Sequence, residues 1–385
     1  MSHPDSESEL TKRALLPAGL RDVLPLDAAH EAAVIEALMA RCASHGYDRV
    51  KPPLVEFETS LFAGPGGAMS DSTFRLMDPV SQKMMGVRAD MTVQIARIAT
   101  TRLKQEPRPL RLCYAGEVLR VSANQLNPER QLVQVGAELL GGESVAADAE
   151  PVLLAVEALR SIGVSNLSVD LTAPRVIPIL LAGSELPADT LRVLRMAIDR
   201  KHTAEVRRVA GDLAPVVTQL MDAAGSWRDA LGDLAGIELP APARAAIDRV
   251  AAIAESVAAI EPDLAMTIDP VENRGFEYYT GFGFSLFARG VRGELGRGGR
   301  YQVDGDGLGS TGFTLYMETV LQALPEPARP ERLYLPFGTA VDQARGLREQ
   351  GWITIAALDK DPDPGLEASR LGCTHILKDG VPVVL

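Results

Sequence analysis

The nine residues Asn273–Gly281, NRGFEYYTG, constrain the fold of this chain more than any other stretch. They combine an arginine, a glutamate and two adjacent tyrosines, and the following FGFSLFARG alternates apolar with small residues up to Gly290. This pattern predicts a strand that enters a hairpin. Neighbouring strand side chains point to opposite faces, so one of Tyr278 and Tyr279 would face a pocket and the other would pack. An ordinary tyrosine-rich strand without a ligand is the open alternative.

A second stretch with period two is Gln131–Leu140, QLVQVGAELL. The alternation places Gln134, Gly136 and Glu138 on one face of a strand, with two valines and an alanine on the other face. A polar face of this kind suits either solvent or an enclosed polar pocket. The sequence leaves both possibilities open.

Polar residues also alternate in RADMT, where Arg88, Asp90 and Thr92 could share one face of a strand. This segment leads into a predicted helix, so the same residues fit either a ligand site or an Asp/Thr helix cap. The glycine-rich stretch at 63–74, AGPGGAMSDSTF, lacks the spacing of a phosphate-binding loop. We interpret it as a mobile lid or linker.

The amino-acid composition disfavours several classes of function. The chain has 385 residues, enough for two or three domains, and 51 acidic against 39 basic residues give a net charge of −12. The acidic excess disfavours binding to nucleic acid. Three widely spaced cysteines predict a reducing, cytoplasmic setting without a zinc site. The polar N-terminus, 1–11, is predicted to be disordered, and the longest apolar candidate, 176–183, is too short to span a membrane.

The domain organisation follows from punctuation and periodicity. Residues 12–324 form the predicted main domain, with a helical insert at about 187–259 that prolines and glycine interrupt. PEPARP then marks a linker. Residues 331–385 alternate between strand and helix patterns, which predicts a small α/β unit with some parallel pairing.

Several motifs in order resemble one family, the histidyl-tRNA synthetases. NRGFEYYTG resembles their histidine-specific motif, and VRADMT resembles their LRPEGT segment. LCYAGEVLR with the later RQLVQVGAE resembles class II motif 2, and RGGRYQ with GLGSTGFTLYMETVL resembles class II motif 3. Over residues 12–324, the resemblance implies an α+β fold: a class II aminoacyl-tRNA synthetase-like antiparallel sheet flanked by helices. It also implies a homodimer through the first motif, around Pro52 and Pro53.

The departures from that family concern ATP. Thr319 stands where the resemblance implies an ATP-binding arginine, and Pro128 stands where motif 2 has a second loop arginine. Threonine cannot supply the forked donors of a guanidinium group. Asp90 shortens the glutamate of LRPEGT, and the C-terminal unit is too short for the usual anticodon-binding domain.

The residues that the resemblance implies for histidine binding are kept. Asp90 and Thr92 would hold the amino group, a tyrosine hydroxyl would bond the ring, and Glu138 could meet either the amino group or the imidazole. The full set implied by motif position is Asp90, Thr92, Arg120, Gln134, Glu138, Arg274, Tyr278 and Tyr279.

A synthetase-like chain with a histidine pocket and no ATP arginine is similar to the regulatory subunits of ATP phosphoribosyltransferase. The resemblance implies a non-catalytic chain without a cofactor, partnered with a short-form catalytic subunit in the first step of histidine biosynthesis. It further implies a homodimer within a hetero-oligomer, with histidine as the inhibitory ligand. Two alternatives stay open: an active histidyl-tRNA synthetase, and a stand-alone histidine sensor or paralogue with another ligand or partner.

Overall fold

The computed structural model describes residues 15–122, 128–273, 279–303 and 307–385. The chain divides into two compact units, Met1–Pro325 and Glu326–Leu385. No described helix is long and apolar enough to cross a membrane.

The first unit is built around β-strands, and those at Gln131–Leu140 and Tyr279–Ala288 are the ones that the period-two patterns predict. Its described strands are β1 (Asp48–Arg49), β2 (Val55–Phe57), β3 (Arg75–Met77), β4 (Met84–Val87), β5 (Leu110–Leu119), β6 (Gln131–Leu140), β7 (Leu167–Thr172), β8 (Gly225–Ser226), β9 (Ala265–Asp269), β10 (Tyr279–Ala288), β11 (Gly296–Gln302) and β12 (Gly309–Tyr316).

Helices flank these strands. In the described part of the first unit they are α1 (Asp27–Ser44), α2 (Glu58–Leu61), α3 (Thr92–Thr101), α4 (Val145–Ser161), α5 (Val176–Ala182), α6 (Ala188–Asp199), α7 (Thr203–Val209), α8 (Ala214–Asp222), α9 (Trp227–Ala235), α10 (Ala241–Ile260) and α11 (Met317–Gln322).

Nine of the strands form one sheet, in the order β1-β5-β6-β12-β11-β10-β7-β9-β8. The pairing is antiparallel from β5 to β7, whereas β1 with β5 and β7 with β9 are parallel. The predicted hairpin of β10 and β11 is confirmed. A second hairpin, β3 with β4, joins β2 in a three-stranded sheet.

One face of the large sheet carries the main apolar core. Val135 and Ala137 of β6 face this core with side chains of α1, α4 and α10, including Leu38, Val152 and Ile253. Each fully buried aliphatic side chain of this kind stabilises the fold by about 1.5–3 kcal/mol. The opposite face of β6 carries Gln134 and Glu138, so the core fixes which face of the sheet is polar.

Helix α4 begins at Val145, where the Ser144 hydroxyl accepts the backbone N–H of Ala147 at 3.1 Å and caps the helix. The glycine-rich stretch, predicted to be a mobile lid or linker, is a 3₁₀ helix at Gly64–Ser72. It packs closely, since a Cβ atom on Gly66 would lie 2.1 Å from the Leu61 carbonyl oxygen.

The region of the predicted insert and the second unit differ in secondary structure. Residues 187–259 are mostly helical, with β8 as a short exception. The second unit contains β13 (Arg332–Leu335), α12 (Val341–Glu349), β14 (Ile353–Ala356), α13 (Pro364–Arg370), β15 (His375–Lys378) and β16 (Val381–Val384). Its sheet order is β14-β13-β15-β16, with β13 parallel to both neighbours. The predicted α+β fold class is confirmed.

Candidate functional site

A polar pocket lies over the middle of the large sheet, on the face opposite the main core. Strands β6, β12 and β11 run side by side there, with Gly136 opposite Thr314 and Thr314 opposite Arg297. Residues from β10 and from the segment before α3 complete the walls. The lining residues are Asp90, Thr92, Glu138, Tyr279, Arg297, Tyr301, Gly312, Phe313, Thr314 and Tyr316.

Glycines allow polar side chains to lie flat against the floor of this pocket. A Cβ atom on Gly312 would lie 2.0 Å from Oε2 of Glu138, and one on Gly136 would lie 2.4 Å from the Tyr114 hydroxyl. Neither position has room for a methyl group. The floor is therefore made of backbone over which Glu138 and Tyr114 are packed.

Glu138 is the most deeply buried acid of the pocket. Its Oε2 accepts the Tyr301 hydroxyl at 3.0 Å and the Ser310 hydroxyl at 3.3 Å. Burial raises the pKa of Glu138 to about 8, the Asp90 carboxylate adds to the rise, and the hydroxyl bonds oppose it. Near neutral pH this side chain can therefore hold a proton or meet a cationic group of a ligand.

Asp90 is bonded both to the start of α3 and to strand β6. Its Oδ1 accepts the Thr92 backbone N–H at 2.8 Å at the start of α3, and its Oδ2 accepts Nε2 of Gln134 at 2.8 Å. The Oε1 atom of Gln134 in turn accepts the Met91 backbone N–H at 3.0 Å. Gln134 thus holds the Asp90 segment against β6.

The strand predicted for RADMT was wrong, although its polar residues do reach the pocket. Strand β4 ends at Val87, and Thr92 begins α3. The N-cap position of α3 is Met91, and the Asp90 side chain before it accepts the Thr92 backbone N–H, which offers that group an alternative to a strand ladder. The alternative of a solvent-facing β6 is also excluded, since Gln134 and Glu138 are both buried.

The remaining predicted residues fall into two groups. Tyr279 lines the pocket, and Arg120 lies beside it, with its Nε 3.5 Å from the Ala89 carbonyl oxygen. The positive charge of Arg120 also acts on the Tyr316 hydroxyl at the pocket wall. Arg274 and Tyr278 lie outside the described residues, so their predicted binding roles stay predictions.

Sequence reasoning missed several lining residues, chiefly Arg297, Tyr301 and Tyr316. Burial raises the pKa of Tyr316 to about 12, and the nearby Arg297 and Arg120 guanidinium groups oppose that rise. The alternation in GRGGRYQ is a signal that could have predicted two of them. Period two in β11 puts Arg297 and Tyr301 on the same face of the strand.

A threonine that follows a glutamate stands where the resemblance implies an ATP-binding arginine. Thr319 lies in α11, and the preceding Glu318 accepts the Val133 backbone N–H at 2.7 Å. Burial raises the pKa of Glu318 to about 7, and the carboxylates of Glu129 and Glu31 raise it further. Within the described ranges, no three His, Cys, Asp or Glu residues are grouped so as to hold a metal ion.

Known proteins match the chain over most of its length. The sequence model of the histidyl-tRNA synthetase family matches residues 19–320. An ATP phosphoribosyltransferase regulatory subunit of Rhodospirillum centenum is 52% identical and covers 95% of each chain. One of Paramagnetospirillum magneticum is also 52% identical, over 97% of this chain and 99% of that protein.

Solved structures show the same fold. An ATP phosphoribosyltransferase regulatory subunit/histidyl-tRNA synthetase from Bacillus halodurans superposes with a TM-score of 0.80 at 23% identity, covering 92% of this chain and 96% of that one. Histidyl-tRNA synthetase from Nostoc has a TM-score of 0.77 at 17% identity, covering 94% and 91%. On the strength of the close relatives, this chain belongs to the family of ATP phosphoribosyltransferase regulatory subunits.

Proposed function

We propose that the chain is a non-catalytic, cytoplasmic subunit that a short-form ATP phosphoribosyltransferase catalytic subunit needs for activity, and that it makes the complex sensitive to histidine. The complex would perform the first step of histidine biosynthesis. Family membership supports the regulatory role. The pocket carries the histidine part of the proposal, because it gathers Asp90, Thr92, Glu138 and Tyr279 on one face of the sheet.

The pocket chemistry suits the amino end of an amino acid. Asp90 and Glu138 present carboxyl oxygens beside the Thr92 hydroxyl, which suits an ammonium group. Tyr279 and Tyr301 supply aromatic walls and hydroxyls for an imidazole ring. Gln134 would act through Asp90, because both ends of its amide are already bonded to the Asp90 segment.

Catalysis by this chain is not expected, because the ATP arginine is replaced by Thr319 next to the buried Glu318 carboxyl. Stabilising charge on transferring phosphates needs cations at that point. Histidine would then act by linkage. It can shift the activity of the complex only as far as its affinity differs between active and inactive arrangements.

Reconstitution with a catalytic subunit tests the proposal directly. The purified chain is mixed with a short-form catalytic subunit from the same source, and product formation from ATP and phosphoribosyl pyrophosphate is followed with and without histidine. We expect activity that requires both chains and falls as histidine is added. A catalytic subunit whose rate is indifferent to this chain would refute the regulatory proposal.

The synthetase alternative is tested by histidine-dependent ATP–pyrophosphate exchange, with an authentic histidyl-tRNA synthetase as positive control. This test is needed because the chain shares its fold with a histidyl-tRNA synthetase. We expect no exchange above background from the chain alone. The proposed homodimer around Pro52 and Pro53 is checked separately by the sedimentation mass of the isolated chain.

A further inference from the structure

Arg297 lines the same pocket as the acidic residues Asp90 and Glu138. It lies on β11, two strands away from Glu138 on β6, which corresponds to about 10 Å between the two strand backbones. Its neighbours across the strands are Thr314 on β12 and Ser285 on β10. The pocket therefore contains both acidic groups and a guanidinium group, on strands that are not adjacent.

The guanidinium group of Arg297 is held in place by its surroundings. Its Nε lies 3.1 Å from Oε1 of Glu294, its Nη2 also pairs with that carboxylate, and Oε2 of Glu294 accepts the Ser285 hydroxyl at 3.1 Å. Burial lowers the pKa of Arg297, but Tyr316 and Glu294 outweigh burial and raise it above its ordinary value. The group is thus a fixed cation at the pocket wall.

We propose that Arg297 receives the free carboxylate of the amino acid whose ammonium group faces Asp90 and Glu138. This inference rests on the proposed histidine pocket and assigns the other end of the ligand. The Nε–Nη2 edge of Arg297 faces Glu294, and the other edge of the guanidinium group, Nη1–Nη2, also matches a carboxylate in shape and charge. The acidic groups and the guanidinium group would orient a zwitterion across the sheet.

Calorimetric titration with two ligands tests the assignment. L-Histidine carries the carboxylate, and L-histidinol replaces it with an alcohol while keeping the amine and imidazole. We expect the unmodified chain to prefer histidine by at least about tenfold, the range of a charged hydrogen bond. Arg297→Gln should abolish most of that preference by weakening the binding of histidine. The affinity for histidinol should change by less than about threefold. Arg297→Lys should be intermediate, because it keeps the charge but loses the fork.

Two further variants separate binding from a structural role. Arg208→Gln removes an arginine from an exposed pair with Glu205 of the same spacing, and should leave both affinities unchanged. Glu294→Gln combined with Arg297→Gln removes the carboxylate that the single change leaves without its guanidinium partner, and should still lack the preference for histidine.

Three results would overturn the assignment. Equal losses for histidine and histidinol in Arg297→Gln would make the residue structural. Retained preference in Arg297→Gln, with loss in Arg274→Gln, would move the carboxylate site elsewhere. An unmodified chain that binds neither compound would remove the histidine pocket itself, and this distinct outcome would refute the proposed ligand as well as the role of Arg297.

Discussion

Two buried carboxyl groups in the first unit are treated in opposite ways. Asp148 on α4 and Glu138 on β6 are 0% and 1% exposed. Asp148 is bonded by Nε of Arg249 and Nε of Arg300, each at 2.8 Å, and by the Thr311 hydroxyl at 2.6 Å. It therefore joins α10, β11 and β12 to α4 through charged hydrogen bonds.

Glu138 is partnered differently. Among the described residues, its hydrogen bonds come from hydroxyl groups, such as those of Tyr301 and Ser310, and not from guanidinium groups. A buried carboxyl with neutral partners keeps a high pKa, whereas a cation would favour its charged form. The fold supplies cationic partners to Asp148 from its own arginines. At Glu138 it supplies hydroxyl groups, so that a cationic partner could come from a ligand.

The largest expected effect is on stability and comes from removing the charge of Asp148. Asp148→Asn should lower the free energy of unfolding by about 3–5 kcal/mol, because it leaves two arginines without their buried counter-charge. Urea unfolding measures this change. Glu205→Gln, at an exposed pair with Arg208, is the control and should change little. A loss for Asp148→Asn no greater than that of the control would contradict a structural role for the cluster.

The next effect is a pH dependence from Glu138. Its folded pKa of about 8 lies above the ordinary value of 4.5, so its contribution to stability is complete below 4.5 and is lost as the pH rises through 8. We expect the ligand-free chain to lose roughly 2–4 kcal/mol between pH 5 and pH 8 relative to Glu138→Gln. Taking this difference removes the similar trend from Glu318. Parallel curves for the two proteins would show that Glu138 has no raised pKa.

Glu138→Gln should also weaken histidine binding by about 10- to 100-fold, since a neutral amide replaces a carboxylate that can bond an ammonium or imidazolium group. Calorimetry at pH 8 measures the loss. Glu143→Gln, at an exposed glutamate near Arg300, should bind like the parent chain. Unchanged affinity in Glu138→Gln would place the ligand cation elsewhere.

The smallest effects come from two neighbours on β12 that face opposite ways. Ser310→Ala removes a hydroxyl from Glu138 and should weaken histidine binding several-fold, with little change in stability. Thr311→Val removes a hydroxyl from Asp148 and should cost about 1 kcal/mol of stability without changing affinity. Measuring both properties in both variants checks the separation, and the reverse pattern would contradict it.

Alternation in the sequence predicted much of this arrangement. Period two in Gln131–Leu140 and in the stretch after Tyr279 determined strands, faces and a hairpin, because burial of one face fixes the register. The resemblance then indicated which polar face is a pocket. Residues without alternation were predicted less well. For Asp90 the sequence left a strand face and a helix cap both open, because it could not show that the Asp90 side chain bonds the Thr92 backbone.

The remainder depended on contacts between distant segments. Nothing in GRGGRYQ shows that Arg297 and Glu138 line one pocket, since that relation exists only after β11 pairs with β12 and β12 with β6. The Asp148 cluster was missed for the same reason, because its arginines come from α10 and β11. Ionic contacts of this range have no periodic signal in the sequence.

The glycine floor limits how this site can change over evolutionary time. A side chain at Gly312 or Gly136 would displace Glu138 or Tyr114, because its first carbon would lie only 2.0 or 2.4 Å from their oxygen atoms. Substitutions at the two floor glycines therefore cannot adjust ligand preference gradually. Gradual changes are open only to the residues that form the walls of the pocket. A single alanine in the floor would be enough to silence the pocket in a descendant whose main apolar core, on the other side of the sheet, remained intact.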